Sequence, residues 1–224
     1  SGGGSGLGLS MSKYLVELGA NIVILSRNEE KLKKASEKLS EVSDSSIVQY
    51  YACDVRDGEN IESIVTNVFD DFKALDGIIN NAAGNFISPT EKLSHNAFSS
   101  VIDIVLKGTC NLTLSFGKKC IEKKQKGKIL NIITTYALTG SGYVVPSAAA
   151  KGGVLSLTKS IAAEWSKHKI YCNAIAPGPF PTEGAWTRLF PKIFSTFIDI
   201  EKKLPLKRFG NHQELANLAA YLLS

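Results

Sequence analysis

Five strand-length apolar runs fix the architecture before any single residue does. They span 20–26, 47–53, 75–80, 128–134 and 170–176, and each is rich in Val, Ile or Leu. Continuous runs of this kind suit strands buried on both faces of a parallel sheet. Helical stripes lie between them: Ile61, Ile64, Val65 and Val68 share one face, as do Val154, Leu157, Ile161 and Trp165. Strand–helix alternation predicts right-handed crossovers and an α/β, doubly wound parallel sheet in three αβα layers. No repeat or linker interrupts the pattern, so residues 1–224 read as a single domain.

One stretch breaks the rhythm. Residues 177–205 carry Pro177, Pro179, Pro181, Pro191 and Pro205 with large apolar residues between them. A long irregular segment after a strand usually covers a ligand, so this one is expected to cover the substrate. A net charge of +5 is too mild for nucleic-acid binding but suits a small polyanionic ligand. The lysines at 118, 119, 123, 124, 126 and 128 read as a solvated helix end. Cys53, Cys110, Cys120 and Cys172 have neither C-x-x-C nor zinc spacing, so no metal and no disulfide framework is expected. No window holds about 18 uninterrupted apolar residues, so no membrane span is expected, and no targeting segment is visible.

The opening Ser1-Gly2-Gly3-Gly4-Ser5-Gly6-Leu7-Gly8 precedes a helical stretch to Leu18, a stop at Gly19 and the first strand. Glycines let backbone approach a pyrophosphate closely, and the helix N-terminus behind them attracts its charge. The unit is Rossmann-like and predicts a bound dinucleotide. An acidic residue at the end of that strand would hold the ribose hydroxyls of NAD. Ser26-Arg27 stands there instead, and a guanidinium can fork onto a 2′-phosphate, so NADP(H) is the expected cofactor.

Across its length the chain resembles the short-chain dehydrogenase/reductase family. The resemblance rests on G-x-x-x-G-x-G at Gly2, Gly6 and Gly8, Asp54-Val55, Asn81-Ala82-Ala83-Gly84, the helix bearing Lys151, and Pro177-Gly178. It implies that Lys151 holds the nicotinamide ribose, that Asp54 meets the adenine, and that Pro177, Gly178, Pro179 and Phe180 border the nicotinamide. It also implies strands before Ser1 and after Ser224, so the first and last strands are expected to be lacking, and it suggests a homotetramer. Two departures stand out. The family's tyrosine four residues before the lysine is Ser147 here, and its helix asparagine is Val105. An aliphatic hydroxyl is too weak an acid to replace a phenol directly, so a tyrosine must come from elsewhere. Tyr136 closes the strand 128–134 on this reading, where open α/β sheets bind ligands; Tyr143 sits in a glycine-rich loop that fixes it poorly.

That rearrangement resembles the NADPH-dependent 2,4-dienoyl-CoA reductases, and Tyr136, fifteen residues before Lys151, matches their mitochondrial type. The resemblance implies that Tyr136 and Asn85 hold the substrate carbonyl while Lys151 and Ser147 organise cofactor and acid. It assigns Arg56, Phe86, Ser94 and Arg188 to the acyl-CoA. Thr134, where the family often has its active-site serine, either orients substrate or finishes the strand. The expected reaction is NADPH-dependent reduction of a 2,4-dienoyl-CoA to a 3-enoyl-CoA in unsaturated fatty-acid oxidation, with mitochondria as the implied compartment and peroxisome or cytoplasm left open. A 3-oxoacyl thioester (ketone) reductase and an inactive NADP-binding partner protein are the alternatives.

Overall fold

The computed structural model describes residues 1–182 and 200–224. All five expected strands form, as β1 (Ile22–Ser26), β2 (Val48–Ala52), β3 (Gly77–Asn80), β4 (Gly127–Ile132) and β5 (Ile170–Ile175). Parallel pairing joins β1 to β2, and β3 to β4 to β5. The start of the chain joins the two sheets: Gly2 N donates to Leu25 O at 2.8 Å and the Ser1 amine to Ile79 O at 2.7 Å. Strand order therefore runs outward in opposite directions on either side of residues 1–2. This is the switch point where such sheets bind ligands.

Helices cover both faces. α3 (Gly58–Phe72), α5 (Gly108–Glu122) and α7 (Val145–Trp165) pack one core, around Phe69, Phe116 and Trp165 with Leu25 and Ile129 from the strands. α1 (Gly6–Glu17), α2 (Glu29–Ser40) and the last helix cover the other face, meeting Ile24 and Leu130. Adjacent strand residues thus face opposite cores, which is why the runs are apolar throughout. Remaining helices are α4 (His95–Ile102), α6 (Tyr136–Thr139), α8 (Ile200–Lys203) and α9 (His212–Leu223). Gly19, at φ +85°, ends α1 as its sequence position predicts.

α4 runs into α5 through a π-helical turn, Asp103–Lys107. The continuous helix His95–Glu122 is long and apolar enough, by length and composition, to cross a membrane. Here Leu112, Phe116 and Cys120 lie in the core against α3 and β4, and 33% of the helix's most apolar window is buried within the fold. Between the strands runs a buried polar ladder. Asn80 Nδ2 donates to Thr113 Oγ1 (3.0 Å) and Asn131 Oδ1 (2.8 Å), and Asn131 Nδ2 to Thr158 Oγ1 (2.8 Å).

Candidate active site

The glycine loop is built by what its residues lack. Gly2 and Gly6 adopt φ of +68° and +54°, the left-handed region that favours glycine. A Cβ on Gly8 would fall 2.1 Å from Gly2 O, and one on Gly3 would fall 2.6 Å from the Ile24 side chain. No side chain caps α1, because Ser5 at its N-cap makes no such bond. The first-turn N–H groups are left pointing out of the helix, as an anion requires. Asn81 Nδ2 steadies the loop by donating to Gly2 O at 3.2 Å.

Arg27 is exposed just past β1, and Asp54 follows β2. Arg56 grips Asp54 with Nη2–Oδ2 at 2.6 Å and Nε–Oδ1 at 3.0 Å. These bonds, with a smaller contribution from Arg27, hold the Asp54 carboxyl below its ordinary range. Two residues expected to serve different ligands are therefore partners of each other. The sequence gives no sign of this beyond their spacing.

Tyr136 does not close a strand. β4 ends at Ile132, and Ile133 N makes the last contact with β5 by donating to Ile175 O. The chain then turns through Thr134 and Thr135 into α6, which Tyr136 opens and Gly140 (φ +70°) closes. That turn sets the phenol over α7, where its oxygen lies 3.0 Å from Ser147 Oγ. Ser147 and Lys151 are one turn apart on α7, and both are buried, at 2% and 5% exposure. Lys151 Nζ donates to Ile132 O, and burial pushes its ammonium from an ordinary value near 10.5 down to about 8. Serine thus stands where the family has its tyrosine, and the Tyr136 hydroxyl sits in hydrogen-bond contact with it.

Asn85 follows β3. Its Oδ1 accepts from Phe86 N at 2.9 Å, which leaves Nδ2 free of any partner among the described residues. Thr134 Oγ1 is buried and also unpartnered. Phe86 packs against the cluster containing Val101, Val105 and Val154. Val105, in the π turn, is fully buried there, so an apolar contact with α7 occupies the place of the family's asparagine. Ser94 caps α4 by accepting from Ala97 N at 3.1 Å. Arg188 lies outside the described residues, as does part of the 177–205 segment. Beside Tyr136 opens a cleft of about 320 Å³ lined by Ala137, Gly140, Ser141, Val145, Ala148 and Ala149. A comparable hollow of about 340 Å³, lined by Ser36, Val48, Gln49, Tyr50 and Tyr51 at the β2 edge, includes none of these site residues. Among the described residues no cluster of His, Cys, Asp or Glu could hold a metal.

The model of the short chain dehydrogenase family matches residues 1–189. The chain belongs to that family, and its fold and glycine loop are those of a nicotinamide-dependent oxidoreductase. Among its relatives, a probable 2,4-dienoyl-CoA reductase 3 ((3E)-enoyl-CoA-producing) of Caenorhabditis elegans is 41% identical, over 100% of this chain and 73% of that one. A probable 2,4-dienoyl-CoA reductase ((2E)-enoyl-CoA-producing) of Bacillus subtilis is also 41% identical, over 100% and 87%. A peroxisomal 2,4-dienoyl-CoA reductase of Danio rerio is 35% identical, over 100% and 74%. Among solved structures, a short chain dehydrogenase from Bacillus anthracis superposes with a TM-score of 0.90 at 40% identity, covering 100% of this chain and 87% of that one. An actinorhodin polyketide ketoreductase solved with NADPH gives 0.90 at 27%, covering 100% and 88%.

Proposed function

We propose that the protein reduces 2,4-dienoyl-CoA thioesters to 3-enoyl-CoA with NADPH, a step in the oxidation of unsaturated acyl chains. The observation that carries this reading is the Tyr136–Ser147 contact: the phenol is present, but carried on α6 and set 3.0 Å from the serine at the family's usual seat on α7. Relatives named as dienoyl-CoA reductases support it.

The residues fit the dinucleotide. In the loop Gly2–Gly3–Gly4–Ser5–Gly6–Leu7–Gly8, a Cβ at Gly2, Gly3 or Gly8 would collide with the protein itself, so the backbone turns tightly, and α1 offers a pyrophosphate unfilled N–H groups. Arg27 would take the 2′-phosphate, Asp54 the adenine and Lys151 the nicotinamide ribose, with Pro177, Gly178, Pro179 and Phe180 along the nicotinamide edge. Bound there, NADPH supplies a hydride to the remote end of the conjugated diene.

The chain's own work is done at the thioester. As electrons move along the diene, negative charge collects on the carbonyl oxygen. Donors held at that oxygen act mainly on the transition state, each worth about 100- to 1000-fold in rate. Tyr136 Oη and Asn85 Nδ2 are the two donors. Tyr136 then gives its proton to the carbon beside the carbonyl, leaving the 3-enoyl thioester. Ser147 Oγ, 3.0 Å away, holds the phenol in place, and the phenolate takes its proton back from solvent after turnover. The cleft beyond Tyr136 takes the acyl chain, and Arg56, Phe86, Ser94 and Arg188 the rest of the acyl-CoA. A ketone reductase is the weaker reading, because Ser147 cannot deliver a proton from the family's tyrosine position.

The test is NADPH oxidation with 2,4-hexadienoyl-CoA, followed by identification of the product. A 3-enoyl-CoA is expected. A 2-enoyl product would move the protonation site along the chain, while turnover of only 3-oxoacyl thioesters would overturn the proposal.

A further inference from the structure

His212 opens α9, outside every part of the site above, yet both of its ring nitrogens are engaged. Nε2 lies 2.8 Å from Pro181 O, and Nδ1 lies 2.9 Å from Ser10 Oγ in α1. A carbonyl oxygen only accepts, so Nε2 carries a proton and donates it. Ser10 Oγ in turn lies 3.1 Å from Gly6 O, where the glycine loop becomes α1. One imidazole therefore joins α1, the helix that opens at Gly6, to the segment after β5.

The neighbouring contacts point the same way. Gly210 N donates to Pro179 O at 3.1 Å, and a Cβ on Gly210 would fall 2.3 Å from the Phe180 ring. The Phe180 and His212 rings lie 6.5 Å apart, centroid to centroid. Across the gap, a Cβ on Gly6 would touch Thr182 at 3.4 Å. A serine beside a histidine also suggests a hydrolytic nucleophile, but the geometry is wrong. The far ring nitrogen meets a carbonyl rather than the carboxylate that would hold the imidazole as a base.

We propose that His212 is a positioning residue that clasps the two walls of the dinucleotide cleft, 1–8 and 177–182, and so sets cofactor affinity without touching reacting atoms. The inference rests on reading those two segments as the cleft walls. A cleft held at its bound width loses less freedom when the ligand arrives.

The experiment is a fluorescence titration of the full protein with NADPH, beside steady-state kinetics. His212→Ala is expected to raise the Kd and KM for NADPH about tenfold, the equivalent of one or two ordinary hydrogen bonds, with kcat within about twofold. Ser10→Ala should give a similar loss, and the double variant no more than either alone. His212→Gln, whose amide donates to Pro181 and whose carbonyl accepts from Ser10, should recover most of the affinity. A wild-type Kd in His212→Ala, additive losses in the double variant, or a fall in kcat that Gln does not rescue would each overturn the clasp. Failure of the wild type to bind NADPH would instead bring down the cleft reading, and the clasp with it.

Discussion

The glycine loop and the Tyr136–Ser147–Lys151 group, the two halves of the proposed site, are built on opposite principles. The loop is made of backbone: its shape follows from absent side chains, two left-handed φ angles and an open helix end. The second half is made of side chains carried on two helices, and the decisive contact is a single 3.0 Å approach between α6 and α7. A backbone cradle can be altered only by breaking it. A side-chain constellation can be redistributed, with the phenol moved to a new helix and a serine left in its old place.

The sharpest way to break that comparison is Tyr136→Phe. It should lower dienoyl-CoA turnover about 100- to 1000-fold while NADPH binding stays as it was, since the ring still fills its place. Equal loss of binding and turnover would show that the two halves are not separable. Lys151 gives the next largest effect. Its amine titrates at about 8 in the fold against about 10.5 when unfolded, because burial disfavours the charge. Between those values the unfolded chain binds more protons, so stability rises with pH from about 8 to 10.5, and the cost is fully present below 8. Lys151→Met should remove that slope and add up to ~3 kcal/mol to the unliganded protein at neutral pH. Urea melts of the two proteins at pH 7 and 10 should therefore converge at the higher pH; parallel curves would place the lysine in water. Smallest is Arg27→Ala, expected to weaken NADPH about 10- to 30-fold with little change for NADH, as loss of a charge-assisted contact implies. Equal losses for both cofactors would separate Arg27 from the phosphate.

These halves also differed in how far they could be read beforehand. Strand positions and the glycine loop were legible because periodicity and missing Cβ atoms act locally: every expected strand is present, within about two residues at its ends. Tyr136 opens a short helix instead of closing the strand. Two threonines and Gly140 make a short helix where an apolar run suggested continued strand, and nothing local specifies that the phenol should fall on Ser147. The Asp54–Arg56 pair and the His212 bridge were missed for different reasons. The first needs a turn that folds a side chain back two residues, and the second joins positions 202 residues apart. Resemblance to a family supplied Asn85, whose amide has no local signature at all.

The carboxamide ladder within the sheet has a consequence for all of this. Apolar runs facing two cores say little about how one strand is aligned with the next, since a shifted pairing buries the same kinds of residue. Asn80 and Asn131 remove that freedom. Sliding β4 along β3 would leave two amides stranded in hydrocarbon, at about 1–3 kcal/mol for each lost partner. The segments bearing Asn85 and Tyr136 leave the far ends of those same two strands. The rung between them works as a locating pin, indexing the two segments whose donors the proposed mechanism brings to one oxygen.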